Sequence, residues 1–203
     1  MKRYLSSQER RARTVEAVIS LSASRDPATI TTADIAKQMQ VTQGALFRHF
    51  PTKDAMWESV VAWVAERVMV CIEDAADSAD DPLEGLEAMF MAHARFISEH
   101  PGVPRLLMGQ LQHPSPTPAS LAVRRLLDAY QKRLSMVLEK AREEDRLRLD
   151  LSLEAAAAQF IGSLQGLVLQ ALVSNDVERI ADKASGAFDI YFNGISRSGE
   201  VAT

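Results

Sequence analysis

The chain has 203 residues, a quarter of them charged, and a formal net charge of −4 at neutral pH. That length is enough to bury a sizeable hydrophobic core in one large or two small domains. The single cysteine, Cys71, excludes an internal disulfide, and the N-terminus has no apolar stretch typical of a signal peptide, so we expect a cytoplasmic protein. The background of Ala, Leu, Met, Glu and Arg favours helix, no segment alternates convincingly between polar and apolar residues, and an all-α fold follows.

The charge is distributed unevenly along the sequence. Residues 1–53 contain nine lysines and arginines against four acidic residues, a net charge of +5, which leaves −9 for the remainder. An acidic protein would ordinarily be a poor candidate for binding nucleic acid. A basic N-terminal segment on an acidic body instead places any affinity for phosphate in the first quarter of the chain.

The first 24 residues begin as a basic arm and continue as a predicted amphipathic helix. Its apolar stripe consists of Ala12, Val15, Ile19 and Ser22. The arginines beside that stripe belong either to a solubilising terminus or to an arm that reaches phosphates or a neighbouring minor groove. Arg10 or Arg11 is better placed for DNA than Lys2, because termini are often disordered.

Residues 30–53 contain two short helical segments separated by a break at 40–42. Thr31 and Thr32 are suited to capping the start of the first segment, and Pro51 ends the second. Each segment carries an apolar pair one turn apart, Ile35 with Met39 and Leu46 with Phe50. This spacing describes either a DNA-binding helix-turn-helix or a helical hairpin with a solvated polar face.

The outward side of the second segment has side chains that suit DNA. Gln43 and Arg48 can pair with base edges, and Arg48 and His49 can neutralise phosphate. Thr42, Gly44 and Phe47 complete this outward side. A hairpin with no ligand would leave the same residues in water, so the spacing alone leaves both interpretations open.

The run from Val41 to Lys53 resembles the DNA-binding domain of the tetracycline-repressor (TetR) family. The family pattern is roughly V-S-x-G-x-L-Y-x-H-F-x-x-K, and this chain reads V-T-Q-G-A-L-F-R-H-F-P-T-K after an Ile35-Ala36 pair. Two departures are Phe47, where the family usually has a tyrosine that contacts a phosphate, and the turn Arg25–Ala28, which lacks the usual glycine. The match covers about the first quarter of the chain directly.

The resemblance implies a set of DNA-contacting positions. The family's matching lysine and the amides at the start of the following helix bind phosphate, which assigns that role to Lys53. The expected DNA-binding residues are Arg10, Thr31, Thr32, Thr42, Gln43, Gly44, Ala45, Phe47, Arg48, His49 and Lys53.

The last two helices are predicted over residues 153–173 and 176–195. Residues 155–175 hold no charge and are long enough to cross a bilayer, but Gln159, Ser163, Gln165 and Gln170 interrupt them, and we interpret the segment as a buried helix. A chain of this size cannot cover so much apolar surface alone, so we expect a two-fold homodimer through these helices. In the TetR family the corresponding helices form a four-helix dimer interface.

The body of the chain contains aromatic and sulfur-containing side chains that could line a cavity for a hydrophobic or aromatic effector. A filled core would account for the same residues equally well. A histidine such as His93 on an apolar face is more often a hydrogen-bonded core residue than a ligand-binding one. The candidate ligand-binding residues are Phe90, His93, Phe96, Leu107, Met108, Tyr130 and Phe160.

The sequence therefore predicts a three-helix helix-turn-helix DNA-binding domain at 1–53 and a larger helical ligand-binding and dimerisation domain at 54–203, about nine helices in all. We expect a dimeric DNA-binding regulator, most often a repressor in this family, that binds a palindromic operator and is released by a small molecule. The alternative is a DNA-binding or protein-interaction factor with no small-molecule effector. No catalytic or metal-binding motif stands out, so we expect no enzyme activity, no cofactor and no metal.

Overall fold

The computed structural model describes residues 7–197, and within that range the regular structure is helical, with nine α-helices and no named strand. Two short 3₁₀ helices, Pro27–Thr29 and Val177–Arg179, precede α2 and α9. The α-helices are α1 (Ser7–Ser24), α2 (Thr32–Gln38), α3 (Gln43–Phe47), α4 (Lys53–Asp77), α5 (Pro82–Glu99), α6 (Gly102–Leu111), α7 (Pro118–Glu143), α8 (Leu153–Ser174) and α9 (Ile180–Ile195). The predicted all-α fold with an N-terminal helix-turn-helix is confirmed.

The chain divides into two compact units. Among the described residues, 7–67 and 100–126 form the first unit, and 68–99 and 127–197 form the second. The helix-turn-helix, α1 and α6 therefore belong to the first unit, and α5, α8 and α9 to the second. The functional boundary that the sequence suggests at residue 53 stays a prediction.

In the first unit, α1 packs closely against α6. A Cβ on Gly102, at the start of α6, would lie 1.9 Å from the carbonyl oxygen of Ile19, so only glycine permits this approach. The buried face of α1 consists of Thr14, Val15, Ala17, Val18, Ile19 and Ser22. Ala12, which the predicted stripe included, is exposed because the buried face is turned toward Thr14 and Val18.

In the second unit, an aromatic cluster fills the centre of the core. Phe90 of α5 packs edge-on against Phe160 of α8, with ring centroids 5.1 Å apart, and against Phe188 of α9 at 5.5 Å. All three side chains are at most 2% exposed. These contacts bury α5 against the two C-terminal helices and place the largest side chains of the unit in one cluster.

Two helix ends differ from the sequence-based expectation. The α3 helix stops at Phe47 instead of continuing to Phe50, because the backbone leaves the helix at Arg48 and His49 before Pro51 is reached. The apolar spacing predicts one long helix from Ala119 to about Arg148, whereas α7 ends at Glu143. Asp145 adopts a left-handed conformation with φ of 56°, and the Arg146 amide donates back to the carbonyl of Ala141, which closes the helix.

The α8 helix is long and apolar enough to span a membrane by length and composition, with a mean hydropathy of 1.4 over its most apolar window. One such helix is weak evidence for a membrane span. Only 28% of that window is buried within the chain, so the expectation of a buried helix is wrong for the single chain. The reason is that Phe160 and Leu164 pack inward, whereas the opposite side, which includes Leu169 and Val173, has no cover from the described residues.

Candidate nucleic-acid interface

The start of α2 is fixed by a reciprocal capping box. The Thr31 hydroxyl accepts a hydrogen bond from the Asp34 amide at 3.1 Å, and the Asp34 carboxylate accepts one from the Thr31 amide at 2.9 Å. The Arg25 guanidinium forms an ion pair with the same carboxylate at 3.2 Å. Hydrogen bonds from Arg25 and Thr31 hold the pKa of Asp34 well below its usual range.

Sequence reasoning did not identify this supporting role of Arg25 and Asp34. The pattern of a threonine followed three residues later by an acid was present in the sequence and is a helix-start signal. No local pattern predicts the ion pair, because Arg25 lies nine residues before Asp34 and on the far side of a turn. The capping box fixes Thr31, one of the predicted DNA-binding residues, in an exposed position.

The turn between α2 and α3 is built on a left-handed residue. Gln40 has φ of 56°, which is uncommon outside glycine, and the Val41 amide donates to the carbonyl of Ala36 at 2.9 Å. This arrangement ends α2 sharply. Two residues after Gln40, the Thr42 hydroxyl caps α3 by accepting a hydrogen bond from the Ala45 amide at 3.2 Å. Both helices of the motif therefore begin at a threonine cap.

The N-terminal half of α3 faces solvent, whereas its apolar residues face inward. Leu46 is 3% exposed and Phe50, just beyond the helix, is 2% exposed. Thr42, Gln43 and Gly44 are exposed, and a Cβ added at Gly44 would meet nothing within 4 Å. The surface around Gly44 is therefore open enough for another molecule to approach the backbone closely.

The other predicted contact residues lie at the end of α3 and the start of α4. Phe47 is 42% exposed, an unusual position for a large aromatic side chain in a surface helix. Arg48 is exposed, and His49 and Lys53 are half-buried. Thr52 caps α4 by accepting from the Ala55 amide at 3.0 Å, which leaves Lys53 in the first turn of a long helix, where backbone amides point outward.

The basic residues before the motif fall partly outside the described range. Lys2 and Arg3 of the predicted basic arm lie outside the described residues, as does most of the C-terminal tail. Arg10 is half-buried on α1, and its backbone carbonyl accepts a hydrogen bond from the Thr14 hydroxyl at 2.9 Å. Arg11 and Arg13 are exposed on the same helix.

The predicted ligand-binding residues are divided between the two units. Phe90, His93, Tyr130 and Phe160 lie together in the core of the second unit, with the His93 and Tyr130 rings 5.3 Å apart and the Tyr130 and Phe160 rings 6.4 Å apart. Phe96 is buried in the same unit. Leu107 and Met108 belong to α6 in the first unit, where Leu107 is half-buried and Met108 is 38% exposed.

A polar pair lies within this aromatic core. Nδ1 of His93 is 3.1 Å from the Tyr130 hydroxyl, and burial lowers the pKa of His93 to about 4 and raises that of Tyr130. Sequence reasoning missed Tyr191, whose hydroxyl is buried and has no hydrogen-bond partner among the described residues. Its spacing on the apolar face of α9 is typical of a core residue, and no sequence signal indicates the unpaired hydroxyl.

Within residues 7–197, no group of three or more His, Cys, Asp or Glu side chains is arranged to hold a metal ion. The Cys71 thiol lies 3.5 Å from the Ala92 carbonyl oxygen, and burial raises its pKa. A thiol with a raised pKa is less nucleophilic than a free one.

Comparison with known proteins agrees with this geometry. Residues 15–60 match the sequence model of the "Bacterial regulatory proteins, tetR family", a range that spans most of α1 and all of α2 and α3. The nucleoid occlusion factor SlmA of Vibrio campbellii is 27% identical over 158 residues, which cover 77% of this chain and 81% of that protein.

Two solved structures share the fold over nearly their whole length. The fatty acid degradation regulator FadR from Bacillus halodurans aligns with a TM-score of 0.81 at 16% identity and covers 95% of this chain and 98% of that one. FadR from Bacillus subtilis, in complex with stearoyl-CoA, aligns with a TM-score of 0.78 at 14% identity, covering 91% and 98%. The family match and the capped helix-turn-helix show a tetR-type DNA-binding domain over residues 15–60, and these alignments show that the chain has the fold of tetR-family DNA-binding transcription regulators.

Proposed function

We propose that the chain is a cytoplasmic, homodimeric transcriptional repressor that binds a palindromic operator and is released by a small hydrophobic effector. The observation that carries the DNA-binding role is the exposure of Gln43 and Gly44 on a recognition helix whose start is capped by Thr42, and of Arg48 just past its end. In a helix-turn-helix protein the second helix reads base edges in the major groove with its N-terminal residues. The functional division at residue 53 belongs to this proposal.

The contacts divide into two kinds. Gln43 and Arg48 read bases, because amide and guanidinium groups can pair in bidentate fashion with adenine and guanine. Thr42, Phe47, His49 and Lys53 lie against the sugar-phosphate backbone, together with the more peripheral Arg10, Thr31, Thr32 and Ala45. The net charge of +5 over residues 1–53 supports this assignment, since phosphate contacts supply most of the nonspecific affinity.

Dimerisation uses the outer faces of α8 and α9, within residues 153–173 and 176–195. Leu169, Val173 and Ile190 are 54%, 83% and 78% exposed, and they lie on helices whose other sides are already buried. Gly162 and Gly166 on α8 would meet no neighbouring atom within 4 Å if they carried a Cβ, which leaves room for a second copy to approach closely. Two-fold symmetry would then set the two recognition helices about one DNA turn apart, ~34 Å.

The effector site belongs to the aromatic core of the second unit. The unpaired Tyr191 hydroxyl and the His93–Tyr130 pair offer a few polar groups within an apolar surround, which is the usual composition of a small-molecule site. The rings of Phe90 and Phe160 pack against each other in this structure, so an effector would have to separate them. A fold shared with a FadR that holds stearoyl-CoA supports a hydrophobic ligand.

The decisive experiment is operator binding by an Arg48→Ala variant. Footprinting of the DNA beside the gene would supply the operator. Loss of a bidentate base contact should cost about 1–3 kcal/mol of specific binding and relax specificity at one base pair. Arg124→Ala, which removes an exposed arginine of α7, is the matched control and should bind like the parent protein. Unchanged operator binding by Arg48→Ala would contradict the assignment of α3 as the recognition helix.

A further inference from the structure

The first unit contains a cleft that is distinct from the aromatic core of the second unit. It has a volume of about 410 Å³ and lies between the 3₁₀ turn at Pro27, the start of α4, the end of α6 and the segment that leads into α7. That volume falls within the range of small-molecule sites. Its wall before α7 is held by reciprocal hydrogen bonds between Thr117 and Ser120, in which each backbone amide donates to the other residue's hydroxyl.

Two buried polar side chains line this cleft without a protein partner. Gln110 is 5% exposed, and no described residue forms a hydrogen bond with its side-chain amide. Trp57 is 6% exposed, and its indole N–H likewise has no acceptor among the described residues. Neither group is among the fully buried polar atoms that lack a partner, so the Gln110 amide and the Trp57 indole N–H are accessible at the surface of the cleft, where a bound ligand can form hydrogen bonds with them.

The charges of the cleft favour an acceptor group on the ligand. The Lys53 ammonium is half-buried, lies 5.9 Å from the Trp57 ring centroid and has no ion-pair partner within the described part of the chain. Asp26 and Asp54 are exposed, and the carboxylate of Asp26 already accepts a hydrogen bond from the Ala28 amide at 2.9 Å. The groups inside the cleft, on Lys53, Gln110 and Trp57, are therefore mainly hydrogen-bond donors, whereas the carboxylates of Asp26 and Asp54 are exposed and their charge is screened by water.

We propose that this cleft binds a small aromatic carboxylate. The carboxylate accepts hydrogen bonds from Lys53 and the Gln110 amide, and the ring packs against Trp57 and the neighbouring prolines, Pro27 and Pro118. A carboxylate on Lys53 would occupy the cation that we assign to a DNA phosphate. The ligand would therefore compete with DNA for Lys53 and release the protein from DNA. This competition rests on the proposed function, whereas binding of the ligand to the cleft does not.

Titration calorimetry with the full chain and no DNA tests the site. The probe is 2-naphthoate, compared with the isosteric 2-naphthamide and 2-naphthylmethylamine. We expect naphthoate to bind about tenfold or more tightly than either analogue, as one charge-assisted hydrogen bond would give. Lys53→Met and Gln110→Leu should each weaken naphthoate binding by a similar factor, whereas the exposed controls Lys132→Met and Gln131→Leu should not. Melting curves identify any variant that does not fold.

Three results would contradict the proposed carboxylate site: no binding of naphthoate, equal binding of all three probes, or undiminished binding of naphthoate by a folded Lys53→Met variant. Loss of binding in Tyr191→Phe, with Lys53→Met unaffected, would also overturn it by placing the ligand in the second unit. Where operator DNA is bound, naphthoate should release it in proportion to occupancy of the cleft. Failure to release bound DNA overturns only the competition for Lys53, and failure to bind DNA at all overturns only the proposed function.

Discussion

The side-chain amide of Gln43 donates a hydrogen bond to the hydroxyl of Thr32, with 2.6 Å between Nε2 and Oγ1. This bond joins the first residue of α3 to the first residue of α2 across the turn of the motif. It restricts the rotamers of a long side chain that would otherwise be free in solvent. A glutamine that reads adenine must present its carbonyl oxygen and one N–H together, so the Thr32 hydroxyl acts as a positioning group for Gln43.

Replacing Thr32 by valine should therefore reduce discrimination between operator and mutated operator more than it reduces binding to random DNA. We expect a loss of about 1 kcal/mol, roughly fivefold, in the specificity ratio, since one neutral hydrogen bond contributes this much. Thr32→Ser keeps the hydroxyl and should behave like the parent protein. Fluorescence anisotropy with the operator, single-base variants and random DNA measures the ratio. Equal specificity of the valine and serine variants would contradict the positioning role.

Phe47 offers a test in the opposite direction, a gain of affinity. Its ring is 42% exposed, and tyrosine is the usual residue of the family at this position. Phe47→Tyr should add one hydrogen bond to a phosphate and tighten binding to operator and random DNA alike, by about threefold to tenfold. The slope of affinity against salt should not change, because a neutral hydroxyl releases no counterion. Tightening confined to the operator would contradict a backbone contact.

The helix-turn-helix was predictable because its signals are local. Threonine caps, apolar pairs one turn apart and a proline stop all act within a few residues, and the structure has both helices where those signals place them. The end of α3 was the exception. The apolar spacing extends to Phe50, but Phe50 lies just after the turn that follows α3 and is buried there. A buried residue just past the end of a helix gives the same sequence pattern as one inside the helix, so the spacing could not locate this end.

Features that depend on distant residues were not predictable. The contact of Gly102 with Ile19 joins helices about eighty residues apart in sequence, and the cleft around Gln110 is assembled from four separate segments. The coverage of α8 was also misjudged, since its composition is apolar nearly all round whereas only the Phe160 side is buried by the chain itself. Composition reports how much apolar surface exists, and only the packing shows which part has a partner.

His93, which is half-buried and whose ring packs against Tyr130, makes the stability of the second unit depend on pH. Burial lowers its pKa to about 4, whereas an unfolded histidine has a pKa of about 6.5. Between these values the unfolded chain binds the extra proton and the folded chain does not, so stability is greatest above pH ~6.5 and falls as the pH is lowered toward ~4. The full loss from this one group is of order 3 kcal/mol.

Urea unfolding at several pH values between 7.5 and 4.5 measures this loss. The informative quantity is the difference in pH dependence between the parent protein and His93→Gln, which has no titrating group at the site. The parent should lose stability more steeply with falling pH than the variant. Tyr130→Phe is a second check, because it removes the hydroxyl that lies 3.1 Å from Nδ1 of His93 but keeps the aromatic ring packed against the histidine. This variant should show the same dependence of stability on pH as the parent protein. Parallel pH profiles for parent and His93→Gln would contradict the neutral histidine.

The proposed dimer face makes the final prediction. Ile190 is 78% exposed on α9, and an isoleucine that becomes buried between two copies contributes about 1.5–3 kcal/mol, once from each copy. Ile190→Glu would place two carboxylates near a two-fold axis, so it should convert the dimer to monomer in sedimentation experiments at micromolar concentration and abolish operator binding. Leu149→Glu introduces the same charge at a residue that is 87% exposed in the loop before α8 and should leave the dimer intact. If both variants remain dimers, the interface lies elsewhere; if both dissociate, added charge rather than the outer face of α9 is responsible. Dissociation of Ile190→Glu alone, with its melting temperature measured in parallel, would locate the interface on the apolar surface that the chain leaves uncovered.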